Sequence, residues 1–258
     1  MTRGIKIHRQ GSGPPVSFLH GWGMNAAVFE PLLDPMAQRY RVSRVDLPGY
    51  GASANIDGDF DAQVEALAEA MDGGTLVGWS MGGLYAIALA HRYPQKFTRL
   101  MLVGSNPCFV QREDWPSAMP SVVFNDFAGD LIADWQAAMR RFIGLQMHGA
   151  DNARTLVREI TALLLEGGEP RPGALESGLD LLLNADLRPL LETMEVPVLA
   201  LLGRRDKLVP VQVAEHLPRV NPAIRVECLH QSAHAPFLSH QDVFLELFDE
   251  FVESSPAG

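Results

Sequence analysis

The sequence is short of most features that would take it outside the ordinary globular enzymes. Its 258 residues include two cysteines, Cys108 and Cys228, too few for a disulfide framework and without metal-binding spacing. Basic residues are the scarcer sign. Twenty-one Lys and Arg against 31 Asp and Glu give a formal net charge of −10, which disfavours nonspecific binding to nucleic acid or to an anionic membrane surface. No apolar run approaches the roughly 18 residues of a membrane span, and Met1-Thr-Arg-Gly-Ile-Lys-Ile-His8 has no apolar core of signal-peptide length. Internal repeats and low-complexity tracts are missing too. Together these absences predict a soluble, cytoplasmic protein, with a monomer as the expected working unit. What is present is 47% hydrophobic and 20% charged residues, a balance from which a chain of this length builds a core without staples.

Short apolar runs bounded by Gly or Pro predict strands at 16–19, 41–46, 75–79, 100–104, 196–202 and 224–229. An antiparallel ribbon is expected at 5–9. Longer amphipathic stretches predict helices over 60–71, 83–92, 123–145, 152–165, 174–183 and 242–252. Strand and helix alternate in the first half, which predicts an α/β architecture with a mostly parallel central sheet and helices on both faces. The alternation breaks between Pro107 and Asp186, so residues 1–106 and 186–258 are expected to form the core and 107–185 a helical lid insertion.

The strongest chemical signal is Gly78-Trp-Ser80-Met-Gly82, followed by Gly83, at the point where a strand runs into a helix. Small residues permit a sharp turn that lifts a serine hydroxyl above the sheet, and the helix N-terminus aims its free N–H groups at the same place. A serine is a poor nucleophile until a base takes its proton, so a histidine and an orienting acid are needed. Asp206 follows the strand at 196–202 and His234 follows the last strand, both at the edge where open parallel sheets bind ligands. Their order after Ser80 is that of α/β-hydrolase triads. Rivals are His230, four residues before His234; Asp186, which reads as a helix start; and Asp46, which precedes Ser80. The remaining histidines at 8, 91, 148, 216 and 240 read as surface groups. Backbone N–H groups of Met81, next to the nucleophile, and of Trp22, in His20-Gly-Trp-Gly23, are the expected donors to a tetrahedral oxyanion. Cys228 is expected within a buried strand and Cys108 where sheet meets lid.

With His20-Gly-Trp-Gly23, Asp46-Leu-Pro-Gly-Tyr-Gly51, Gly78-Trp-Ser-Met-Gly-Gly83, Asp206 and His234 in this order, the chain resembles the α/β-hydrolase superfamily along essentially its whole length. Gly78-Trp79, Ser105-Asn-Pro-Cys-Phe109, Asp114-Trp-Pro116, Arg141-Phe-Ile-Gly-Leu-Gln146 and Ala233-His-Ala-Pro-Phe-Leu-Ser-His240 carry a narrower resemblance, to the pimeloyl-[acyl-carrier protein] methyl ester esterases of biotin synthesis. That resemblance implies a Ser80–Asp206–His234 triad and a carboxylester hydrolase without metal or organic cofactor. It also implies a substrate site lined by Trp22, Ser80, Met81, Phe142, Ile143, Gly144, Leu145, Gln146 and His234. Met81 stands where the family often has leucine, a volume-conserving change. A broad short-chain carboxylesterase and a ligand-binding receptor on the same fold are the alternatives, because fold alone does not assign a substrate.

An acidic carrier protein is repelled at long range by a charge of −10. From Met139 to Arg158, however, Arg140, Arg141, Arg154 and Arg158 face a single acid, Asp151. Arginine forks suit phosphate and carboxylate, so these four are the expected carrier-docking residues. The competing expectation is a solvated face on which Arg154 pairs with Asp151. Of the aromatics and methionines in the insertion, including Trp115, Phe124, Phe127, Trp135 and Met119, most are expected in the core and Phe142 facing an acyl chain. A pH–rate profile should show activity falling in acid, once His234 carries a proton in the free enzyme; a rate unchanged by acid would contradict a histidine base.

Overall fold

A strand that is apolar at successive positions needs cover on both faces, and the apolar runs of this sequence receive it. The computed structural model describes residues 4–133, 135–166, 168 and 171–254. Among them one sheet is built from β1 (Ile7–Gln10), β2 (Pro15–Leu19), β3 (Arg41–Val45), β4 (Gly74–Trp79), β5 (Phe97–Val103), β6 (Val198–Gly203) and β7 (Arg225–Leu229). The strand order is β1-β3-β2-β4-β5-β6-β7. All six β6 residues are buried, as are four of five in β2 and five of six in β4. β1 runs antiparallel to β3, with Ile7 opposite Val45, and the other neighbours are parallel. From β2 the chain moves outward to β3 and then crosses back to β4 on the opposite side. The C-terminal ends of β2 and β4 therefore flank a reversal in strand order, the position where open α/β sheets form a crevice.

The helices in chain order are α1 (Leu33–Met36), α2 (Phe60–Ala70), α3 (Gly82–Arg92), α4 (Ser121–Ala133), α5 (Trp135–Met147), α6 (Ala153–Glu166), α7 (Pro172–Asn184), α8 (Arg188–Glu192), α9 (Val213–Val220), α10 (Pro236–Ser239) and α11 (Gln241–Glu253). A 3₁₀ helix, Ala26–Leu32, precedes α1. Asp59 caps α2 by accepting the Ala62 N–H at 3.0 Å, a bond that satisfies one orphan donor of the first turn. The first nine residues of α3 are all buried, the expected state of a helix with apolar side chains all round. α11 instead buries one stripe, Phe244, Phe248 and Phe251, at the spacing of a half-buried helix.

Between β5 and β6 the described chain contributes no strand to the sheet, only two isolated bridges (Val110 to Met119 and Arg112 to Trp115) and the helices α4 to α8. The expected helix over 123–145 is two, α4 and α5. A single helix would hold Phe127 and Phe142, fifteen residues apart, about 22 Å from each other along its axis; their ring centroids instead lie 5.2 Å apart, because α4 and α5 fold against each other over a shared apolar space. The 3₁₀ helix and α9 were not expected; α9 buries Val213 and Leu217 one turn apart, but it is only eight residues long and contains Pro218, a residue that reads as a helix breaker. Cys228 is half-buried rather than buried, since β7 is the last strand of the sheet and has a neighbour on one side only. The side chain of Trp135, and Gly167, Glu169 and Pro170 of the expected interhelical turn, lie outside the described residues. No helix among those described is long and apolar enough to cross a membrane.

Candidate active site

β4 ends at Trp79 and α3 begins at Gly82, so Ser80 and Met81 alone make the turn between them. Ser80 is the one non-glycine residue with positive φ among those described, at +54°, a backbone conformation that costs about 1–3 kcal/mol for a side chain other than glycine. Buried hydrogen bonds hold it there. The Ser80 N–H donates to Val103 O at 3.0 Å, while Ser80 O accepts from Gly83 N–H at 2.9 Å and from Ser105 Oγ at 2.8 Å. Glycine at 82 is a matter of space: a Cβ there would stand 2.2 Å from Leu19 O and 2.6 Å from His20 O. The end of β2 thus lies directly against the Ser80 turn, with Gly21 close enough that a Cβ on it would stand 3.1 Å from Ser80 Cβ. Trp22 follows. Among the hydrogen bonds of the described residues, the backbone N–H groups of Trp22 and Met81 have no protein acceptor.

The loop that carries Trp22 is fixed by two buried polar residues. His20, fully buried, donates from Nδ1 to Gly21 O at 2.8 Å and accepts the Leu47 N–H on Nε2 at 3.0 Å. Asp46 accepts N–H groups from Ala26 at 2.8 Å and Ala52 at 3.1 Å, and meets His8 Nε2 at 3.2 Å. Asp46 and His20, one at a strand end and the other opening the loop after β2, therefore hold the scaffold beneath the turn. The sequence signal for this was the strand-end position of Asp46, which read only as a rival acid.

On the other arm, Asp206 Oδ1 accepts the N–H groups of Leu208 at 2.8 Å and Val209 at 3.0 Å, which turns its Oδ2 to His234 Nδ1 at 2.7 Å. Both side chains are fully buried. A carboxylate only accepts, so Nδ1 carries the proton and Nε2 is left with its lone pair. His234 Nε2 is buried and has no hydrogen-bond partner among the described residues. Two contacts seat this histidine: Trp79 Nε1 donates to His234 O at 2.9 Å, and the His234 N–H donates to Gln146 O at 3.1 Å. The first comes from the residue before Ser80 and the second from α5, so nucleophile strand and insertion both grip the loop after β7. The rivals stand elsewhere. His230 is exposed, and Asp186 pairs with Arg188 at 2.6 Å beside the start of α8; His216, expected at the surface, is instead half-buried on α9 and bonded to Ser117.

An apolar cavity includes Ser80 in its lining. Its walls are the packed rings of Trp22, Phe127 and Phe142, with Phe109, Met119, Leu179, Leu182 and Leu208. Trp22 packs edge-on to Phe127 and Phe142 with ring centroids 5.4 and 5.1 Å away, and its Nε1 donates to Leu175 O of α7 at 2.9 Å. Of the five residues expected from 142 to 146, Phe142 and Leu145 line this cavity, while Ile143, Gly144 and Gln146 do not. Phe109 and Phe124 belong to the buried core, Met119 and Phe127 pack half-buried against it, and all four line the cavity. Leu179, Leu182 and Leu208 were not expected there; only their apolar character marked them.

Residues 14–241 match the sequence model of the α/β hydrolase fold. The chain belongs to that family. It is 38% identical over 255 residues to the pimeloyl-[acyl-carrier protein] methyl ester esterase of Aeromonas hydrophila subsp. hydrophila, covering 96% of this chain and 99% of that one. It is 36% identical to the protein of the same name from Nitrosomonas europaea, over 95% and 98% of the two chains. Among solved structures, the esterase EaEST from Exiguobacterium antarcticum superposes with a TM-score of 0.86 at 26% identity, covering 97% of this chain and 96% of that one. A bromoperoxidase from Bacillus anthracis shares the α/β hydrolase fold, with a TM-score of 0.87 at 22% identity over 97% and 95% of the two chains.

Burial lowers the His20 pKa from 6.5 to about 4, against smaller raising effects from the Gly21 carbonyl and Asp46. The unfolded chain therefore takes up a proton near pH 6.5 that the folded protein refuses down to about pH 4. Stability should fall as pH is lowered through that window, and His20→Gln should be less stable at neutral pH with a shallower slope. Urea unfolding across a pH series measures both.

Proposed function

We propose that this α/β hydrolase is a serine carboxylester hydrolase that removes the methyl group from a pimeloyl chain carried on acyl-carrier protein, and that it acts in the cytoplasm. What supports the chemistry is a strained Ser80 lining an apolar cavity and, on the loop after β7, a buried His234 whose Nδ1 is held by Asp206 and whose Nε2 is left without a partner among the described residues. What supports the substrate is the name borne by the relatives that match nearly all of this chain.

In this reading His234 Nε2 takes the Ser80 proton as Oγ attacks the ester carbonyl, and Asp206 stabilises the imidazolium. The N–H groups of Trp22 and Met81 receive the oxyanion, where each donor is worth about 2.7–4 kcal/mol. His234 returns the proton to the departing methoxide, and water then clears the acyl-enzyme. Hydrogen bonds of this kind tighten in the Michaelis complex. The acyl methylenes lie along Phe142, Leu145 and the other apolar walls, at about 0.8 kcal/mol for each buried CH₂.

The carrier docks, in the same reading, on Arg140, Arg141, Arg154 and Arg158, whose side chains are exposed on α5 and α6. Asp151 does not neutralise Arg154. It pairs with Arg205 at 3.1 Å, and Arg205 also holds Gly149 O at 2.6 Å. Residues 107–185 act as the lid that presents this face.

Pimeloyl-carrier-protein methyl ester should be hydrolysed far faster than a free p-nitrophenyl ester at equal concentration, and Ser80→Ala should abolish both activities. Equal rates for the two esters would point to a broad carboxylesterase instead. Charge reversal at Arg154 and Arg158 should raise KM for the carrier-bound ester by roughly tenfold or more, the scale of lost electrostatic steering, and leave the small ester unchanged. Steady-state kinetics on both substrates would reject the docking face if the two KM values moved together.

A further inference from the structure

Gly178 sits in the middle of α7, where glycine is less favourable than any residue but proline. Space accounts for it. A Cβ on Gly178 would stand 2.5 Å from the Tyr50 hydroxyl oxygen and 2.6 Å from Trp22 Cδ1, so a larger residue there would not let α7 lie where it does. One turn earlier the same helix takes hydrogen bonds from the same two side chains. The Tyr50 O–H donates to Ala174 O and Trp22 Nε1 donates to Leu175 O, both at 2.9 Å. Trp22 is only 1% exposed, and with Phe127 of α4 and Phe142 of α5 against it as well, its indole is enclosed by three helices of the insertion.

His20 and Asp46 anchor the Trp22 loop to the core, and the indole anchors it to the insertion. Between these anchors Trp22 is flanked by Gly21 and Gly23, the latter at φ +72°, so the peptide groups around it have little stiffness of their own. We propose that Gly178 is a positioning residue for Trp22: the absence of a side chain at 178 seats the indole so that the Trp22 N–H meets the oxyanion formed at Ser80. This rests on the serine-esterase reading given above, which makes that N–H a donor. The Tyr50 hydroxyl is the tip of its side chain, whereas Trp22 Cδ1 belongs to a rigid ring three bonds from its Cα. A methyl group at 178 therefore displaces the enclosed indole, and the indole passes the shift to its own backbone. Leu179 and Leu182 of α7 line the cavity, so the helix both walls the cavity and seats the donor.

Kinetics separate those two roles, because an oxyanion donor acts on the transition state and not on bound ester. With p-nitrophenyl butyrate, Gly178→Ala should lower kcat and kcat/KM together by about tenfold, short of the roughly hundredfold or greater loss that follows removal of a whole donor. Trifluoromethyl hexyl ketone accepts Ser80 Oγ at its carbonyl carbon, with the serine proton passing to His234, and so carries the oxyanion; methyl hexyl ketone fills the same cavity with its carbonyl intact. The Ki of the first should rise about tenfold and that of the second should stay, the signature of a transition-state contact. In a Trp22→Ala background the added methyl has no ring to meet, and Gly178→Ala should have no further effect on kcat. Gly178→Ala combined with Tyr50→Phe, which removes the other overlapping atom, serves if the single variant misfolds. An unchanged kcat, a Ki that rises equally for both ketones, or an undiminished loss in the Trp22→Ala background overturns the assignment. Failure of the wild-type protein to form the Ser80 adduct, or turnover that survives Ser80→Ala, would instead overturn the underlying serine-esterase reading.

Discussion

One backbone torsion organises this protein. Ser80 sits at φ +54°, and that conformation survives only because three buried hydrogen bonds and the close approach of β2 leave the turn no other shape. Everything the site needs is arranged around it. The N–H groups of Trp22 and Met81 stay unpaired on one side, and α3 points its N-terminal dipole at the hydroxyl. Trp79, the residue before the turn, donates across the molecule to the carbonyl of His234, 155 residues later. Relaxing the turn would therefore disturb His234 as well as Ser80.

The insertion between β5 and β6 is tied to this centre at several points. Trp22 and Tyr50 donate to the carbonyls of Leu175 and Ala174 in α7. Arg205, beside Asp206, holds the α5–α6 turn through Gly149 O and Asp151. Gln146 carries the His234 backbone. The walls of the cavity are thus fastened to the segments that carry Ser80 and His234, and movement of α5 reaches both the apolar cavity and His234.

Much of the core could be read in advance because its signals are local. Strand runs at 16–19, 75–79 and 100–104 are bounded by Gly or Pro and apolar at nearly every position, and each became a buried parallel strand. Ser80 was legible from its glycines, and Asp206 and His234 from their places at strand ends. The insertion was less legible. Its helices are amphipathic throughout, and nothing between Ala133 and Trp135 resembles the Gly or Pro punctuation that would have split 123–145 in two. The structural duty of Asp46 and His20 was hidden as well: a carboxylate at a strand end reads alike whether it orients a histidine or caps backbone N–H groups.

The amino-acid order by itself determined the class of fold and the sequence of reactive groups, since apolar periodicity and turn chemistry act over a few residues at a time. Tertiary structure alone decided which apolar side chains face the cavity and that Asp151 pairs with Arg205 rather than Arg154. It alone set Gln146 against His234. Such pairings join segments far apart in the chain, and they depend on how helices dock, a choice governed by the packing of whole surfaces rather than by any local pattern.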